Sequence, residues 1–305
     1  MRLAATLALA VTTAVASGPA FAAGDLCGRG PLDILLTNDD GYQAPGIRAL
    51  YQALRAGGHR VTLVAPAANM SGVSASLTRG EISIVRDGSD PAIIGVTATP
   101  ASSTLLAIEA PLVPVRPDLV VSGINDGENV SAAIAFSGTV GAVIAAVRLL
   151  DPPIPGIAVS AAGAEQKENA PAVDPQRRAA AMAERFVGLL GSLRPWFCTG
   201  SAHDDHRLLN VNFPPADVAD IKGVRATDAA PHADFGLQYK SAGPDRYQGS
   251  WVDKPHKSAT GDTDIEWLAR GYVTVTPLDG NYASPLDETL KLEVLIESGK
   301  PTQSN

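Results

Sequence analysis

The sequence predicts an α/β fold, a Rossmann-like and mostly parallel sheet with helices on both faces, and two patterns lead to this prediction. Short aliphatic runs, DILLTN at 33–38 and HRVTLVAP at 59–66, have the length of buried strands. The segment between them, GIRALYQALRAGG at 46–58, repeats apolar residues at helical spacing and ends in two glycines. A strand, a helix and a second strand joined by short connections form a βαβ unit, which requires parallel strands.

The same alternation continues along the chain to about residue 225. Further strand candidates are DLVVSG at 118–123 and GIAVSA at 156–161. The segments GTVGAVIAAVRLL at 138–150 and DPQRRAAAMAERFVGLL at 174–190 are helix candidates. We therefore assign residues 31–225 to the α/β core.

From about Ala226 the composition changes. The segment HADFGLQYKSAGPDRYQGSWVDKP at 232–255 is rich in glycine and aromatic residues and predicts a hairpin arm rather than another βα unit. A short helix, a closing strand and a tail helix are predicted after it. Because aromatic residues are favoured at interfaces, we expect residues 226–305 to serve in oligomerisation. A flap folded over its own active site is the alternative.

The first 22 residues have the features of a signal peptide. Arg2 precedes an apolar run, and Ala20, Phe21 and Ala22 form the small-x-small pattern of a cleavage site. We expect cleavage after Ala22 and export, to a bacterial periplasm, with no membrane segment in the mature chain. An uncleaved N-terminal anchor is the alternative.

The chain has two cysteines, Cys27 and Cys198. In an oxidising compartment they are able to pair, which would tie the N-terminus of the mature chain to a segment late in the core. Two buried free thiols are the alternative, because sequence alone does not bring them within bonding distance.

The overall charge argues against nucleic acid as a partner. The formal net charge is −8, from 32 acidic and 24 basic residues, and no cluster of lysines and arginines offsets it. Such a surface binds a nucleic-acid backbone poorly. Small anionic ligands remain compatible, provided that a cation or backbone N–H groups hold them.

Polar side chains gather where the predicted strands end, which is where open parallel sheets bind ligands. Asp39 and Asp40 follow the first strand, and Asn125 follows DLVVSG. A helix cap explains the aspartates poorly, since the helical pattern begins only near Gly46. Oxygen ligands without nearby cysteine or histidine favour Mg²⁺ or Mn²⁺, and a cation would relieve the repulsion between adjacent carboxylates.

A second candidate site is the start of the helix that follows Phe136. Ser137, Gly138 and Thr139 lie where free backbone N–H groups and the helix dipole attract an anion such as phosphate. The alternative is that Ser137 or Thr139 only caps the helix. The chain has neither a Walker-type loop nor a G-x-G-x-x-G motif after a strand, so a nucleotide held by those devices is disfavoured.

Taken together, the motifs resemble the SurE family of metal-dependent nucleotidases and phosphatases. The resemblance implies a Rossmann-like core whose C-terminal arm is exchanged between subunits of a homodimer or homotetramer. It also implies hydrolysis of phosphate monoesters, most often nucleoside monophosphates, as in a 5'/3'-nucleotidase. The matching segments are ILLTNDDGYQAPGI (34–47), VTLVAPAANMSGVSASLT (61–78), DLVVSGIN (118–125), SGTVGAV (137–143) and TGDTDIEWLARGYVTVTPL (260–278).

The resemblance assigns roles residue by residue. One divalent cation per subunit, Mg²⁺ or Mn²⁺, is expected, and Asp39 or Asp40 would also act as base or nucleophile. The implied metal ligands are Asp39, Asp40, Ser71 and Asn125. The residues implied around the phosphate are Asn38, Asn129, Ser137, Gly138 and Thr139.

Several positions depart from the family pattern. Met70 stands where an arginine is usual, and Ser102 stands where an acidic residue is usual. Glu128 and Ser131 replace a common proline and a common glycine. These changes remove no implied metal ligand but alter the rim of the site, so a strict preference for nucleoside monophosphates does not follow.

Two alternatives to a metal-dependent hydrolase remain at this stage. An exported binding protein would capture a phosphorylated or anionic ligand without turnover. A serine hydrolase is the weaker alternative, because the serines of MSGVSAS lack a G-x-S-x-G context. The metal-capable set from His203 to His206 lies in a polar stretch that favours an exposed loop.

Overall fold

The computed structural model describes residues 26–110, 112–163, 174–199, 207–232, 235–254 and 261–281. The predicted signal peptide, the predicted tail helix and the stretch from His203 to His206 lie outside these residues. The strands are β1 (Asp33–Thr37), β2 (Arg60–Pro66), β3 (Ile84–Arg86), β4 (Ile93–Val96), β5 (Leu119–Asp126), β6 (Gly156–Ala161), β7 (Leu208–Phe213), β8 (Val224–Ala226), β9 (Phe235–Ser241), β10 (Tyr247–Asp253) and β11 (Val273–Leu278). The helices are α1 (Pro45–Ala56), α2 (Pro100–Glu109), α3 (Gly138–Arg148), α4 (Pro175–Phe197) and α5 (Asp264–Ala269), with short 3-10 turns at Ser131–Phe136 and Val218–Asp220.

The strand order confirms the predicted fold class. In the described part of the chain, nine strands form one sheet in the order β3-β4-β2-β1-β5-β6-β7-β11-β8. The central pairs from β4 to β7 are parallel, whereas β3 and β11 run antiparallel to β4 and β7. The chain moves from β1 outward to β2 and β4, then returns to place β5 on the other side of β1. The sheet therefore has a topological switch point between β1 and β5, where such folds bind ligands.

Helices cover both faces of the sheet because successive strand residues point to opposite sides. Ile34 and Leu36 of β1 belong to the apolar cluster that contains residues of α1 and α4. Leu35, between them, belongs to the cluster on the other face with residues of α2 and α3. The runs of β1, β5 and β6 are apolar without alternation because both faces of these strands are buried. No helix in the described ranges combines the length and apolar character needed to span a bilayer.

The segment before β1 is fastened to the C-terminal end of α4. Arg194 is buried, and its guanidinium donates to the carbonyl oxygens of Leu26 at 3.1 Å and Gly30 at 2.8 Å. Cys27 and Cys198 form a disulfide, with their Cα atoms 5.7 Å apart. These contacts lie beside the amino end of β1. The residues that follow β1 and β5 lie at the other side of the sheet, where the parallel strands have their carboxyl ends.

Loss of this disulfide is expected to lower stability without lowering activity. In the chain-entropy account, a bridge that closes a long loop restricts the unfolded chain, and removing it costs about 2–4 kcal/mol. The double variant Cys27→Ser/Cys198→Ser should therefore unfold at lower urea concentration than the oxidised parent. A midpoint equal to that of the parent would show that the disulfide does not contribute to the free energy of unfolding.

The predicted arm is an antiparallel hairpin of β9 and β10. Leu237 lies opposite Trp251, and Tyr239 lies opposite Gly249. Residues directly opposite in an antiparallel pair project from the same face, so the aromatic side chains of both strands and Leu237 share one face. That face is exposed within the single chain, with 65% of Tyr239 and 71% of Trp251 accessible.

Candidate active site

The switch point brings together the chain segments that follow β1, β2 and β5. The backbone N–H of Asp126, at the end of β5, donates to Asp40 Oδ2 at 3.1 Å. The backbone N–H of Met70, in the loop after β2, donates to the carbonyl oxygen of Asp39 at 2.7 Å. The two aspartates therefore lie at the centre of the site, and Ser71 is the residue directly after Met70.

A tight turn presents the two aspartates. Asn38 Nδ2 donates to the carbonyl oxygen of Gly41 at 3.0 Å, and the Gly41 N–H donates to Asn38 Oδ1 at 3.2 Å. Gly41 has a φ of +107°, a conformation that side chains disfavour. The resemblance implies that Asn38 lies beside the phosphate, and in this structure both polar ends of its side chain also close this turn.

Asp39 is held against the start of α3. Its carboxylate accepts a hydrogen bond of 2.5 Å from Thr139 Oγ1. A Cβ atom on Gly138 would lie 2.8 Å from Asp39 Cβ, so only glycine permits this approach. Burial raises the pKa of Asp39, although hydrogen bonds from Thr139 and the Gly138 backbone lower it. The start of α3 thus faces a carboxylate in this structure.

Asp40 is the second carboxylate of the pair, and its ionised form is also disfavoured. Burial, followed by the charges of Asp39 and Asp126, raises the pKa of Asp40 to about 6, and the hydrogen bond from the Asp126 backbone acts in the opposite direction. Two neighbouring groups whose charged forms are both disfavoured are the arrangement that a bound cation relieves.

The donor set around these carboxylates fits a hard divalent cation. Asn125 is buried, and its amide nitrogen donates to the Gly127 carbonyl oxygen at 2.8 Å, which leaves its amide oxygen as the ligand atom. Ser71 is exposed in the loop after β2, where its N–H donates to Asn69 Oδ1 at 2.9 Å. Carboxylate, amide and hydroxyl oxygens are the ligands that Mg²⁺ and Mn²⁺ prefer. The described residues contain no group of three or more His, Cys, Asp or Glu residues placed to hold a metal, and the predicted ligand set contains only two such residues.

Of the residues predicted around the phosphate, Ser137 and Thr139 lie at the start of α3, whereas Asn129 lies near β6. Ser137 Oγ accepts the N–H of Val140 at 3.1 Å, so Ser137 caps α3, which is the alternative left open by the sequence. Thr139 contacts Asp39, as described above. Asn129 lies apart from these contacts, since its amide nitrogen donates to Ser160 Oγ at 2.8 Å on β6.

Sequence reasoning missed the residues that hold Asn129. The Asn129 N–H donates to Asn212 Oδ1 at 2.8 Å, and the Asn129 carbonyl oxygen accepts from Asn210 Nδ2 at 2.7 Å. Both asparagines are fully buried on β7. The signal was present in the sequence LLNVNF, because a buried strand with polar residues at alternate positions needs hydrogen-bond partners for them.

Ser102 supports the loop that carries Ser71. Ser102 lies in α2, and its hydroxyl oxygen accepts a hydrogen bond of 2.8 Å from the N–H of Thr78 in the loop. Farther along the loop, Ser74 Oγ donates to the carbonyl oxygen of Ala135 at 2.7 Å. Gly141 is needed beneath this loop, since a Cβ atom there would lie 2.4 Å from the Ser74 carbonyl oxygen. Ser102 thus supplies a hydrogen-bond acceptor at a position where the family pattern has an acid.

The fold and the site define a doubly wound α/β protein with an acidic, oxygen-rich site at its switch point, beside a helix N-terminus. The family model described as Survival protein SurE matches residues 34–234. The chain belongs to the SurE family.

Relatives and a solved structure agree with this assignment. The chain is 36% identical to "5'-nucleotidase SurE" of Desulfovibrio desulfuricans, over 81% of this chain and 92% of the relative. It is 34% identical to the protein of the same name from Desulfitobacterium hafniense, over 88% and 97%. It is 36% identical to "5'/3'-nucleotidase SurE" of Yersinia pestis, over 80% and 89%. The crystal structure of the SurE protein from Aquifex aeolicus matches with a TM-score of 0.67 and 31% identity, over 87% of this chain and 99% of that chain.

Proposed function

We propose that the protein is a divalent-metal-dependent phosphomonoester hydrolase that acts on nucleoside monophosphates. The observation that carries this proposal is the contact of the Asp39–Asp40 turn with the start of α3 at the switch point of the sheet. The nucleotidase names of relatives that align with most of the chain support the reaction class. The same names favour turnover over ligand capture, the alternative considered from sequence.

The side chains divide the work by their positions. Asp39, Asp40, Ser71 and Asn125 would hold the cation through oxygen atoms. The cation supplies Lewis acidity, since a divalent ion lowers the pKa of water and neutralises charge on phosphoryl oxygens.

The start of α3 and the Asn129 region would bind the phosphate. The backbone N–H groups of Gly138 and Thr139 face the Asp39 carboxylate, and a helix N-terminus favours an anion there. Thr139 has a hydroxyl group that orients Asp39. Asn129 is fixed by two strands, so its remaining amide oxygen has a defined direction.

The rim of the site favours a wider range of substrates than a strict mononucleotide enzyme accepts. Met70 removes a cation from the loop after β2, where an arginine would attract a negatively charged substrate. Ser102 keeps the loop anchored but carries no charge. We expect simple phosphate monoesters to be hydrolysed beside nucleotides.

We also propose that the protein works outside the cytoplasm as a homodimer or homotetramer. The Cys27–Cys198 disulfide supports export, because disulfides persist in oxidising compartments. Cleavage after Ala22 would leave Cys27 close to the new N-terminus. The exposed apolar face of the hairpin supports assembly.

Phosphate release from nucleotides and simple monoesters tests the reaction. We expect activity with Mg²⁺ or Mn²⁺, its loss on treatment with a chelator, and its return on addition of the metal. Inhibition by a serine-reactive reagent would instead support the serine hydrolase alternative. Activity that survives thorough chelation would contradict the proposed mechanism.

A further inference from the structure

A buried carboxylate on α5 binds segment 129–137, which is called the active-site segment below because it joins Asn129 to the start of α3. Asp264, the first residue of α5, is fully buried. Its Oδ2 accepts the backbone N–H of Ser131 at 2.7 Å, and its Oδ1 accepts the N–H groups of Ala230 and Ile265 at 2.9 Å each. These partners are all donors, so the ionised carboxylate is the form that satisfies them.

The hydrogen bond to Ser131 holds the chain segment that joins Asn129 to the start of α3. Ser131 follows Asn129 by two residues and begins the 3-10 turn that ends at Phe136, directly before the cap of α3. Its φ is +56°, which is uncommon for a residue with a side chain. A backbone in that conformation persists only when its surroundings hold it, and the Asp264 carboxylate is the partner of its N–H.

Apolar packing supports the same segment. Val130 lies in a small buried cluster with Ala162, Ala230, Ile265 and Leu268. Val130 comes from the active-site segment and Ala162 follows β6, whereas the other members lie near Asp264. The cluster includes two of the residues that donate to Asp264, and both Asp264 and Ser131 are buried, so these hydrogen bonds are shielded from water and strengthened.

Asp264 also joins the two segments that flank the arm. Ala230 lies shortly before β9, and Asp264 lies after β10. The Asp264 N–H donates to the carbonyl oxygen of Asp228 at 2.9 Å, and the Asp228 N–H donates to the carbonyl oxygen of Asp262 at 3.1 Å. The chain entering the arm and the chain leaving it thus meet at Asp264.

We propose that Asp264 is a positioning residue, which fixes segment 129–137 for phosphate binding and joins that segment to the root of the arm. Its catalytic consequence rests on the proposed function, whereas its structural consequence does not. Replacing one carboxylate oxygen by an amide group places a donor against the donor N–H of Ser131 or Ala230. The segment would then shift, and a misplacement of about 1 Å costs about 100-fold in rate.

The variant Asp264→Asn tests this role against a matched control. We expect kcat to fall by about 10- to 100-fold, while the affinity for Mn²⁺ measured by calorimetry stays close to that of the parent. The proposed metal ligands lie at or after the carboxyl ends of β1, β2 and β5, and the contact of Asp39 with Thr139 lies beyond segment 129–137. General loosening, in contrast, would weaken both properties. Asp118→Asn is the control, since Asp118 is also buried and accepts the Asp33 N–H at 2.8 Å, but precedes β5 at the opposite edge of the sheet. It should keep the parent's kcat.

Hydrogen exchange gives a readout that does not depend on activity. The amides of Ser131 and Ala230 should exchange slowly in the parent and faster, together, in Asp264→Asn. Fast exchange of both amides in the parent would overturn the proposal, and this measurement decides it if the variant does not fold. Unchanged kcat in a folded variant with faster exchange at Ser131 would overturn it too. A parent that hydrolyses no phosphate ester with either metal would refute the proposed function, while the exchange data would still decide whether Asp264 anchors both segments.

Discussion

Replacing Asp40 with asparagine should remove most of the phosphatase activity while leaving a folded protein. A cation bound by two carboxylates contributes several kcal/mol to transition-state stabilisation, so weakening its site should lower kcat/KM by about 10³-fold. The amide oxygen of the new side chain would still accept the hydrogen bond that the Asp126 N–H gives to Asp40. Affinity for Mn²⁺, measured by calorimetry, should fall in parallel with activity.

The same substitution should raise the stability of the metal-free protein. The pKa of Asp40 is raised from 3.8 to about 6, first by burial and then by the charge of Asp39. A carboxylate with a raised pKa in the folded state stabilises the fold below pH 3.8 and loses that contribution as the pH rises through about 6. At neutral pH the ionised group is therefore unfavourable, and replacing it should add about 1 kcal/mol after allowance for solvent screening.

Thermal unfolding with and without metal separates these effects. With a chelator, the parent should lose stability between about pH 4 and pH 7 relative to Asp40→Asn. With excess Mn²⁺ the order should reverse, because the ion binds the folded parent more tightly. Asp118→Asn is the control, since it neutralises a carboxylate at the amino end of β5, opposite to the site. Its stability relative to the parent should not change sign when Mn²⁺ is added. A variant that hydrolyses substrate as fast as the parent would show that Asp40 is not a ligand.

The convergence of the candidate site residues could be predicted from the sequence, because it follows from local patterns. Asp39 and Asp40 closely follow an apolar strand, and Asn125 lies near the end of another. Parallel strands end at the same edge, so these residues had to meet once the βαβ pattern was recognised. The hairpin was likewise visible in the aromatic and glycine-rich segment around Tyr239.

The roles of several polar residues could not be read from the sequence, since they depend on contacts between distant segments. Asp264 contacts a backbone N–H 133 residues away, and Asn212 contacts one 83 residues away. Asn38 and Ser137, which the resemblance places around the phosphate, also close a local turn and a helix end. Short elements were also missed, among them β3, which is three residues long and exposed.

Deleting Ala233–Trp251 should convert the proposed homo-oligomer into smaller species, because the hairpin of β9 and β10 carries an exposed apolar face. The register places the large apolar side chains of β9 and β10 on one face, and they are accessible in the single chain. A two-stranded hairpin with such a face is marginal in water unless it packs against another surface. A flap closed over its own site would bury these side chains, whereas 72% of Tyr247 is accessible. A second copy of the chain is the partner we expect.

Substitutions on the two faces of the hairpin sharpen this test beyond the deletion. Tyr239→Ser and Trp251→Ser each remove an aromatic residue from the apolar face, and a buried interfacial aromatic contributes about 2 kcal/mol or more, which is about 30-fold in the dissociation constant. Gln238→Ser and Gln248→Ser are matched controls, since each neighbours an apolar-face residue in its own strand and therefore projects from the other face. Light scattering over a range of concentrations should show weaker assembly for the first pair only. An unchanged number of subunits in the deletion variant would refute the role of the arm, as would a full chain that stays monomeric at micromolar concentration. Weaker assembly with both pairs would indicate that both faces of the hairpin contact the second copy, rather than the apolar face alone.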